Sequence, residues 1–227
     1  MGGMNSLNSS NVMWGAGIQV ADQAGGYASF FAHMDNQDGQ YAKSAAKVIN
    51  KQLYNRMNPT DVRRDWWDPN DKNAPYVGRK FAFSNVASWL GDYIYMRVEE
   101  MYLIEAEATA ASNLSNGIAL LNSFMQTYRY ASYNCQSADF KAFQNEIGLQ
   151  ARIEFWGEGI PFWYKKRLAL GIDLANSNCK EDSYRFVVDG RAPWWNCQIP
   201  RTEWSSNPAL IGMNNPDPSD TVENVIE

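Results

Sequence analysis

One run of twenty residues, 93–112, constrains the fold more than any other part of this chain. It reads YIYMRVEEMYLIEAEATAAS, and the Ala, Glu, Leu and Met that dominate it are good helix formers. A second segment of helical spacing follows over residues 116–129, with Ser115 and Asn116 as its predicted cap. Because the link between the two segments is short, we predict an antiparallel helical hairpin.

Other segments predict a mostly α chain with long loops and short β-hairpins. Helices are predicted over three further stretches: 41–57, from Ser137 to Trp156, and from Pro161 to about Leu170. Alternation of apolar and other residues over 12–20 predicts a strand. A hairpin is predicted over residues 183–200, with its turn at Asp189-Gly190 and its return through Trp194-Trp195. Residues 58–92 predict a long irregular segment. We expect a single domain over residues 1–227.

Composition narrows the classes of function. The chain has 227 residues and a net charge of -5, which argues against nucleic acid as a partner because phosphate binding needs clustered positive charge. No run of about 20 apolar residues predicts a membrane-spanning helix. No export signal is visible, so the chain is expected either to be intracellular or to lack an upstream signal.

Three cysteines, Cys135, Cys179 and Cys197, form no C-x-x-C pair, so we expect no zinc site, other metal site or cofactor. A disulfide between Cys179 and Cys197 and three reduced thiols remain alternatives.

Four segments, in order along the chain, resemble motifs of the SusD/RagB-like family of Bacteroidetes outer-membrane nutrient-uptake proteins. They are Asp61-Val62-Arg63-Arg64, residues 96–108 (MRVEEMYLIEAEA), residues 146–171 (EIGLQARIEFWGEGIPFWYKKRLALG) and residues 199–215 (IPRTEWSSNPALIGMNN). Ala151, Ile160-Pro161 and Tyr164 depart from the family pattern at positions where it has charged or polar residues.

This resemblance implies the C-terminal region of a SusD-like fold, with a remnant of its TPR-like helices. The family's N-terminal half, which carries the signal peptide, the lipid-modified cysteine and most TPR helices, is expected to be absent. The resemblance also implies a surface lipoprotein of the cell outer membrane that captures oligosaccharide for a TonB-dependent (SusC-like) transporter. Membrane association would then come only through a lipid anchor that this chain lacks. A helical protein–protein scaffold without its own glycan site is the alternative.

Nine Trp and twelve Tyr make the chain rich in rings, which build either cores or binding platforms. A sugar stacks its C–H face on a ring, while its hydroxyls need polar partners. Two regions supply both features. The first holds Trp66, Trp67, Asp68 and Asn70, and the second holds Trp14, Phe30, Phe31, His33 and Asn36. Adjacent side chains in an extended stretch point opposite ways, so at most one of Trp66 and Trp67 is predicted to be a platform. Trp156, Phe162 and Trp163 are expected in the core.

Glu154 and Glu158 allow two interpretations. Two carboxyls facing one glycosidic bond would suit hydrolysis, but neighbouring basic residues can pair with both, and we favour this structural role. No nucleophile–base pair appears around His33, the only histidine. We therefore predict that the chain is not an enzyme.

Overall fold

Three helices of fifteen residues frame the N-terminal part of the chain: α4 (Val98–Ser112), α5 (Leu114–Tyr128) and α6 (Phe140–Glu154). Helix α4 packs against both α5 and α6, so the predicted helical hairpin is confirmed. The structure is a computed structural model that describes residues 3–21, 28–179 and 185–215. The chain divides into two compact units, Met1–Pro161 and Phe162–Glu227, and the single domain stays a prediction.

The helix caps differ from those predicted. The side chain of Asn113, the single residue between α4 and α5, accepts a hydrogen bond from the backbone N–H of Asn116, 3.1 Å away. Asn113, and neither Ser115 nor Asn116, therefore caps α5. Asp139 caps α6 in the same way. The inward face predicted for α6 is correct at Phe143, Ile147 and Ala151, which are fully buried.

The predicted helix over 93–112 is wrong in its first five residues. Residues Tyr93–Arg97 form strand β4, which pairs antiparallel with β1 (Val12–Ala16). Tyr and Ile favour a half-buried strand, and β1, some eighty residues away, supplies the backbone partners that a helix would otherwise provide. The strand predicted over 12–20 is confirmed for Val12–Ala16.

The predicted helix over 41–57 is also wrong. Two short helices, α2 (Gln40–Ser44) and α3 (Lys51–Asn55), flank an extended stretch. In that stretch the N–H of Ile49 donates to the carbonyl of Tyr76 at 3.1 Å, and the carbonyl of Lys47 accepts from the N–H of Gly78 at 2.8 Å. Pairing with a remote segment therefore overrides the local helical pattern.

The segment predicted as irregular, 58–92, is packed in its own right. It contains a 3-10 helix, Val62–Trp66, and the pair β2 (Trp67–Asp68) and β3 (Val77–Gly78). Its buried rings belong to two core clusters. One contains Ile49, Leu53, Tyr54, Met57, Trp67, Leu149 and Ile153, and the other contains Phe31, Ala32, Phe81 and Phe83. Helix α1 (Phe30–Met34) carries Phe31 and Ala32 into the second cluster.

The C-terminal part contains short elements. They are α7 (Ile160–Leu168), β5 (Ile172–Asp173), β6 (Val187–Val188), α8 (Arg201–Ser206) and the 3-10 helices Pro193–Trp195 and Pro208–Leu210. The predicted hairpin over 183–200 is wrong, because β6 pairs antiparallel with β5. Its first residues, 183–184, lie outside the described residues.

Two expectations about side chains in α7 also fail. Trp163 is 63% exposed and Phe162 is 37% exposed, so neither is a core residue. In contrast, Trp156 is partly buried against both core clusters.

Cys135, Cys179 and Cys197 are all free thiols, and only Cys135 is buried. The structure therefore has the reduced alternative and no disulfide between Cys179 and Cys197. Among the described residues, no helix is both long enough and apolar enough to cross a membrane.

Candidate functional site

Three of the four sequence motifs meet in one buried ion cluster. The guanidinium of Arg63 donates to Asp61 at 2.7 Å and to Gln150 at 2.7 Å, and lies 3.3 Å from Glu154. Arg129 donates two hydrogen bonds to the same Glu154 carboxylate, at 2.8 and 2.9 Å. Arg63 and Glu154 each expose only 1% of their side chains. The ion pairs and hydrogen bonds of the motif residues thus connect segments that are up to 91 residues apart.

Glu158, just beyond α6, belongs to the same cluster. Arg97 donates to its two carboxylate oxygens, each at 2.9 Å, and the ammonium of Lys80 contacts it as well. The described members of the cluster are four cations, Arg63, Lys80, Arg97 and Arg129, and four carboxylates, Asp61, Glu99, Glu154 and Glu158. The cluster is therefore balanced in charge, as a buried ionic group must be.

This arrangement supports the structural interpretation of Glu154 and Glu158, but with other partners than those next to them in sequence. Burial alone would raise the pKa of Glu154, but Arg129, Arg63 and Arg97 outweigh it and lower that pKa to about 2. A glycosidase acid needs the opposite, a carboxyl that keeps its proton near neutral pH. Glu154 is therefore unsuited to that role.

An aromatic pocket of about 410 Å³ lies in the N-terminal unit. Its rings are Phe30, Phe31, Phe81, Tyr93 and Tyr95, and we call it the aromatic pocket. Ser29 caps α1 by accepting from the N–H of Ala32 at 3.2 Å, which sets Phe30 and Phe31 at the start of that helix. Tyr93 and Tyr95 come from β4, where residues two apart share one face.

The rings of the aromatic pocket support one another. Phe30 meets Phe31, Phe81 and Tyr93 edge to face, with centroids 5.4, 5.0 and 6.4 Å away. Phe30 nevertheless remains 36% exposed. These contacts hold the ring in place while leaving part of it open to a ligand.

One further ring, that of Trp14, extends this surface beyond Tyr95. Tyr95 is 50% exposed, and Trp14 on the neighbouring strand is 61% exposed. Their centroids are 5.1 Å apart, with a tilt of 59° between the ring planes. Trp14, Tyr95 and Phe30 together form an exposed aromatic surface, which we call the aromatic rim.

Gly157 completes the wall of the pocket. Its φ is +80°, in the left-handed region, and a Cβ there would lie 2.6 Å from the ring of Phe81. Only glycine therefore fits this position without displacing Phe81.

The other predicted residues of this region lie outside the lining of the pocket. The ring of His33 stacks on Tyr41, with centroids 4.5 Å apart. The amide of Asn36 is engaged with the backbone, since it donates to the carbonyl of Gly78 at 2.7 Å and accepts from the N–H of Lys47 at 2.8 Å. A ligand-binding role for His33 and Asn36 stays a prediction.

The predicted tryptophan loop is packed more tightly than the aromatic pocket. Trp67 is 3% exposed and belongs to the core, whereas Trp66 is partly buried with the ammonium of Lys80 over its ring, 4.6 Å from the centroid. Asp68 pairs with Arg79 at 2.5 Å and also accepts from the N–H of Asn70 at 2.9 Å. The structure thus makes Trp67 the anchor of the pair. Glycan contact at Trp66, Asp68 or Asn70 stays a prediction.

Tyr93, Tyr95 and Phe81 are lining residues that the sequence analysis missed. Tyr93 and Tyr95 were assigned to a helix, and Phe81 to an irregular loop. The alternation Tyr93, Tyr95, Arg97 was the signal that could have revealed the strand. No group of three or more His, Cys, Asp or Glu in the described part of the chain could hold a metal ion.

Comparison with solved structures places this architecture among known folds. A SusD superfamily protein from Bacteroides vulgatus ATCC 8482 matches with a TM-score of 0.75 and 19% identity, over 92% of this chain and 46% of that protein. A second from that organism, described as a SusD-like carbohydrate binding protein, matches with a TM-score of 0.63 and 23% identity, over 89% and 40%. One from Bacteroides thetaiotaomicron VPI-5482 has a TM-score of 0.64 and 18% identity, over 95% and 53%.

These matches define the class of protein first: a mostly helical chain built from packed helical hairpins with small antiparallel strand pairs. The particular fold is that of the SusD-like proteins, so the resemblance read from the sequence motifs is confirmed at the level of the fold. The chain spans 40% to 53% of the length of these three neighbours. No family model matches the chain, and no curated protein is significantly similar to it.

Proposed function

We propose that this chain is the non-catalytic, glycan-binding part of a surface nutrient-capture protein. The observation that carries the proposal is the exposed aromatic rim. Phe30 and Tyr95 of this rim line the aromatic pocket, and Trp14 packs against Tyr95. Exposed rings offer flat apolar faces to the C–H face of a sugar. One neighbour of similar fold is described as a carbohydrate binding protein.

Size and rigidity of the pocket support the same proposal. A volume of about 410 Å³ falls in the usual range of small-molecule sites, roughly 300–1,000 Å³. The edge-to-face contacts of Phe30 fix its ring before any ligand arrives, which lowers the entropic cost of binding. A pocket of this kind suits one or two sugar residues of a longer chain.

The contacts of the nearby carboxylates support the proposal of binding without hydrolysis. Glu158 lines the pocket, but Arg97 and Lys80 hold it in the ion cluster. Glu154, four residues earlier, is kept ionised by three arginines. Neither group is placed to give up or take a proton at a glycosidic bond.

Affinity measurements on point variants test this function. We expect Trp14→Ala and Tyr95→Ala each to weaken binding of a soluble polysaccharide by about tenfold or more, equivalent to about 1.4 kcal/mol, as exposed aromatic contacts do. Trp163→Ala is the matched control, because Trp163 is as exposed as Trp14 but belongs to the other unit. Unchanged affinity in both rim variants would move the site elsewhere, with Trp66 as the next candidate.

Product analysis tests the absence of catalysis. Glycans incubated with the purified chain should keep their length, so no new reducing ends should appear. Clear release of reducing ends, lost again in a Glu158→Gln variant, would contradict a purely binding role.

The proposal extends to location and partner. A glycan captured at the cell outer membrane would pass to a TonB-dependent, SusC-like transporter, and a lipid anchor elsewhere in the protein would hold it at the surface. A longer protein containing this chain should then co-purify from native membranes with a large outer-membrane protein. Repeated isolation without any such companion would argue against the transporter as partner and favour a scaffold with other partners.

A further inference from the structure

The charged side chains that line the aromatic pocket all have one sign. Asp92 and Glu158 are both carboxylates, and no lysine, arginine or histidine among the described residues lines the pocket. The chemistry of the lining is therefore rings, hydroxyls and negative charge. The negative charge of this lining should affect whether charged glycans can bind in the pocket.

The carboxylate of Asp92 is held in position by backbone hydrogen bonds but has no cationic partner among the described residues. Its two carboxylate oxygens accept the backbone N–H groups of Leu7, at 3.0 Å, and Ile18, at 3.1 Å. Backbone donors satisfy the hydrogen bonds of a carboxylate but carry no net charge. None of the ion pairs in the described part of the chain includes Asp92.

The cations near Glu158 are not available to a ligand. Lys80 exposes 1% of its side chain and Arg97 exposes 3%. The ammonium of Lys80 is also bonded to the carbonyl of Glu154 at 2.6 Å, and Arg97 is shared among Glu99, Glu154 and Glu158. Both cations are engaged within the ion cluster, so an anionic sugar would find no free donor there.

We infer that the aromatic pocket selects neutral glycans over glycans that carry carboxylate or sulfate groups; this inference rests on the proposed function. An anionic group in the pocket would lose hydration without gaining a cationic partner, and it would face the charge of Asp92. A neutral sugar avoids both costs. Its hydroxyls can donate to the phenol oxygens of Tyr93 and Tyr95, for which the described residues supply no hydrogen-bond partner, while its C–H face covers a ring.

The experiment compares one glycan with its own oxidised form. The complete chain is first screened against soluble starch, mannan, mixed-linkage β-glucan, polygalacturonate and chondroitin sulfate. The neutral glycan that binds best is then oxidised at its primary hydroxyls to carboxylates, which keeps linkage and ring stereochemistry. Working at about 0.15 M salt limits the effect of charges beyond roughly 8 Å, so the lining of the pocket decides the result.

We expect the oxidised glycan to bind at least about tenfold more weakly than its parent. Equal or tighter binding of the oxidised form, or binding of polygalacturonate or chondroitin sulfate alone, would overturn the selectivity while leaving glycan binding intact. No binding to any member of the panel would overturn the proposed function and this inference with it.

A variant with an added charge tests whether the lining of the aromatic pocket causes the selectivity. Gly159 lines it with a φ of +82°, and a Cβ there would meet no atom within 4 Å. Gly159→Lys should reduce the preference for the neutral form severalfold by placing a cation at the lining. Gly159→Asn is the control, because asparagine tolerates the left-handed region and adds no charge. An equal preference in wild type, Gly159→Lys and Gly159→Asn would place the discrimination outside the aromatic pocket.

Discussion

Trp66 and Trp67 are neighbours with different environments. Trp67 packs edge to face against Tyr54 and Trp156, with centroids 6.4 and 5.7 Å away, and only 3% of it is exposed. Trp66 is only partly buried against the same cluster. The chain changes conformation between the two residues, because the 3-10 helix ends at Trp66 and strand β2 begins at Trp67. Trp67 therefore enters the core, and strand alternation is not the reason for the difference.

Truncation of the two rings should therefore have unequal effects on stability. Trp67→Ala should lower the free energy of unfolding by about 3–5 kcal/mol, as loss of a buried large ring does. Trp66→Ala should cost clearly less, and urea unfolding of both variants measures the difference.

Trp67→Phe provides a milder control. The indole nitrogen of Trp67 is buried without a hydrogen-bond partner among the described residues, so phenylalanine keeps most of the packing and loses no hydrogen bond. We expect it to be more stable than Trp67→Ala. Equal losses in Trp66→Ala and Trp67→Ala would contradict the assignment of Trp67 as the anchor.

Residue types alone predicted only part of the aromatic pocket. Phe30 and Phe31 were found because two adjacent rings in a polar loop are conspicuous, and Trp14 was found because it lies in an alternating strand. Tyr93 and Tyr95 were missed because their run continues directly into a strong helix. The ion cluster could not be predicted at all, since Arg63 and Arg97 lie 91 and 57 residues from Glu154.

Elements differ in how far the sequence determines them. Helices α4, α5 and α6 were predicted to within a few residues at most ends. The good helix formers of α4 and the apolar stripes of α5 and α6 are signals that act locally. β4 and the break between α2 and α3 depend on partners far along the chain, β1 and the segment around Tyr76. A local sequence pattern does not reveal pairing with a distant segment. The predictions for these two segments were wrong for this reason.

The contact between α4 and α5 leaves no room for a side chain at Gly117. A Cβ at Gly117 would overlap the Cβ of Ala110 and lie 2.7 Å from the carbonyl oxygen of Ala106. Although alanine is the better helix former, Gly117→Ala should destabilise the protein by about 1–3 kcal/mol, because the two helices would have to separate. Thermal or urea unfolding measures this change.

Ser115→Ala is the matched control on the same turn of α5, because Ser115 is exposed. Its effect should stay within about 0.5 kcal/mol. A Gly117→Ala protein at least as stable as wild type would show that the helices can adjust without cost.

At the scale of the molecule, the ion cluster links three of the four sequence motifs. Asp61 and Arg63 come from the first motif, Arg97 and Glu99 from the second, and the two glutamates at the end of α6 from the third. Removing one partner leaves the others buried and unbalanced, which typically costs about 3–5 kcal/mol. These three motifs therefore share one structural role, because each supplies members of the same buried cluster.

The cluster should make stability depend on acid pH. The pKa of Glu154 is about 2 in the folded protein, against 4.5 for an unperturbed glutamate. Because the folded value is the lower one, the stabilisation is complete above about pH 4.5 and is lost as pH falls towards 2. At about 1.4 kcal/mol per pKa unit, Glu154 alone should contribute about 3 kcal/mol to the free energy of unfolding at neutral pH.

Unfolding in urea between pH 7 and pH 2 measures this contribution. Glu154→Gln should be less stable than wild type at pH 7, and its stability should fall less steeply with acid because the titrating group is gone. Glu105→Gln, at an exposed position of α4, should keep the wild-type pH dependence. If Glu154→Gln lost stability with acid as steeply as wild type, the acid response would have to come from other carboxylates, and the three arginines would not be holding Glu154 in its ionised form.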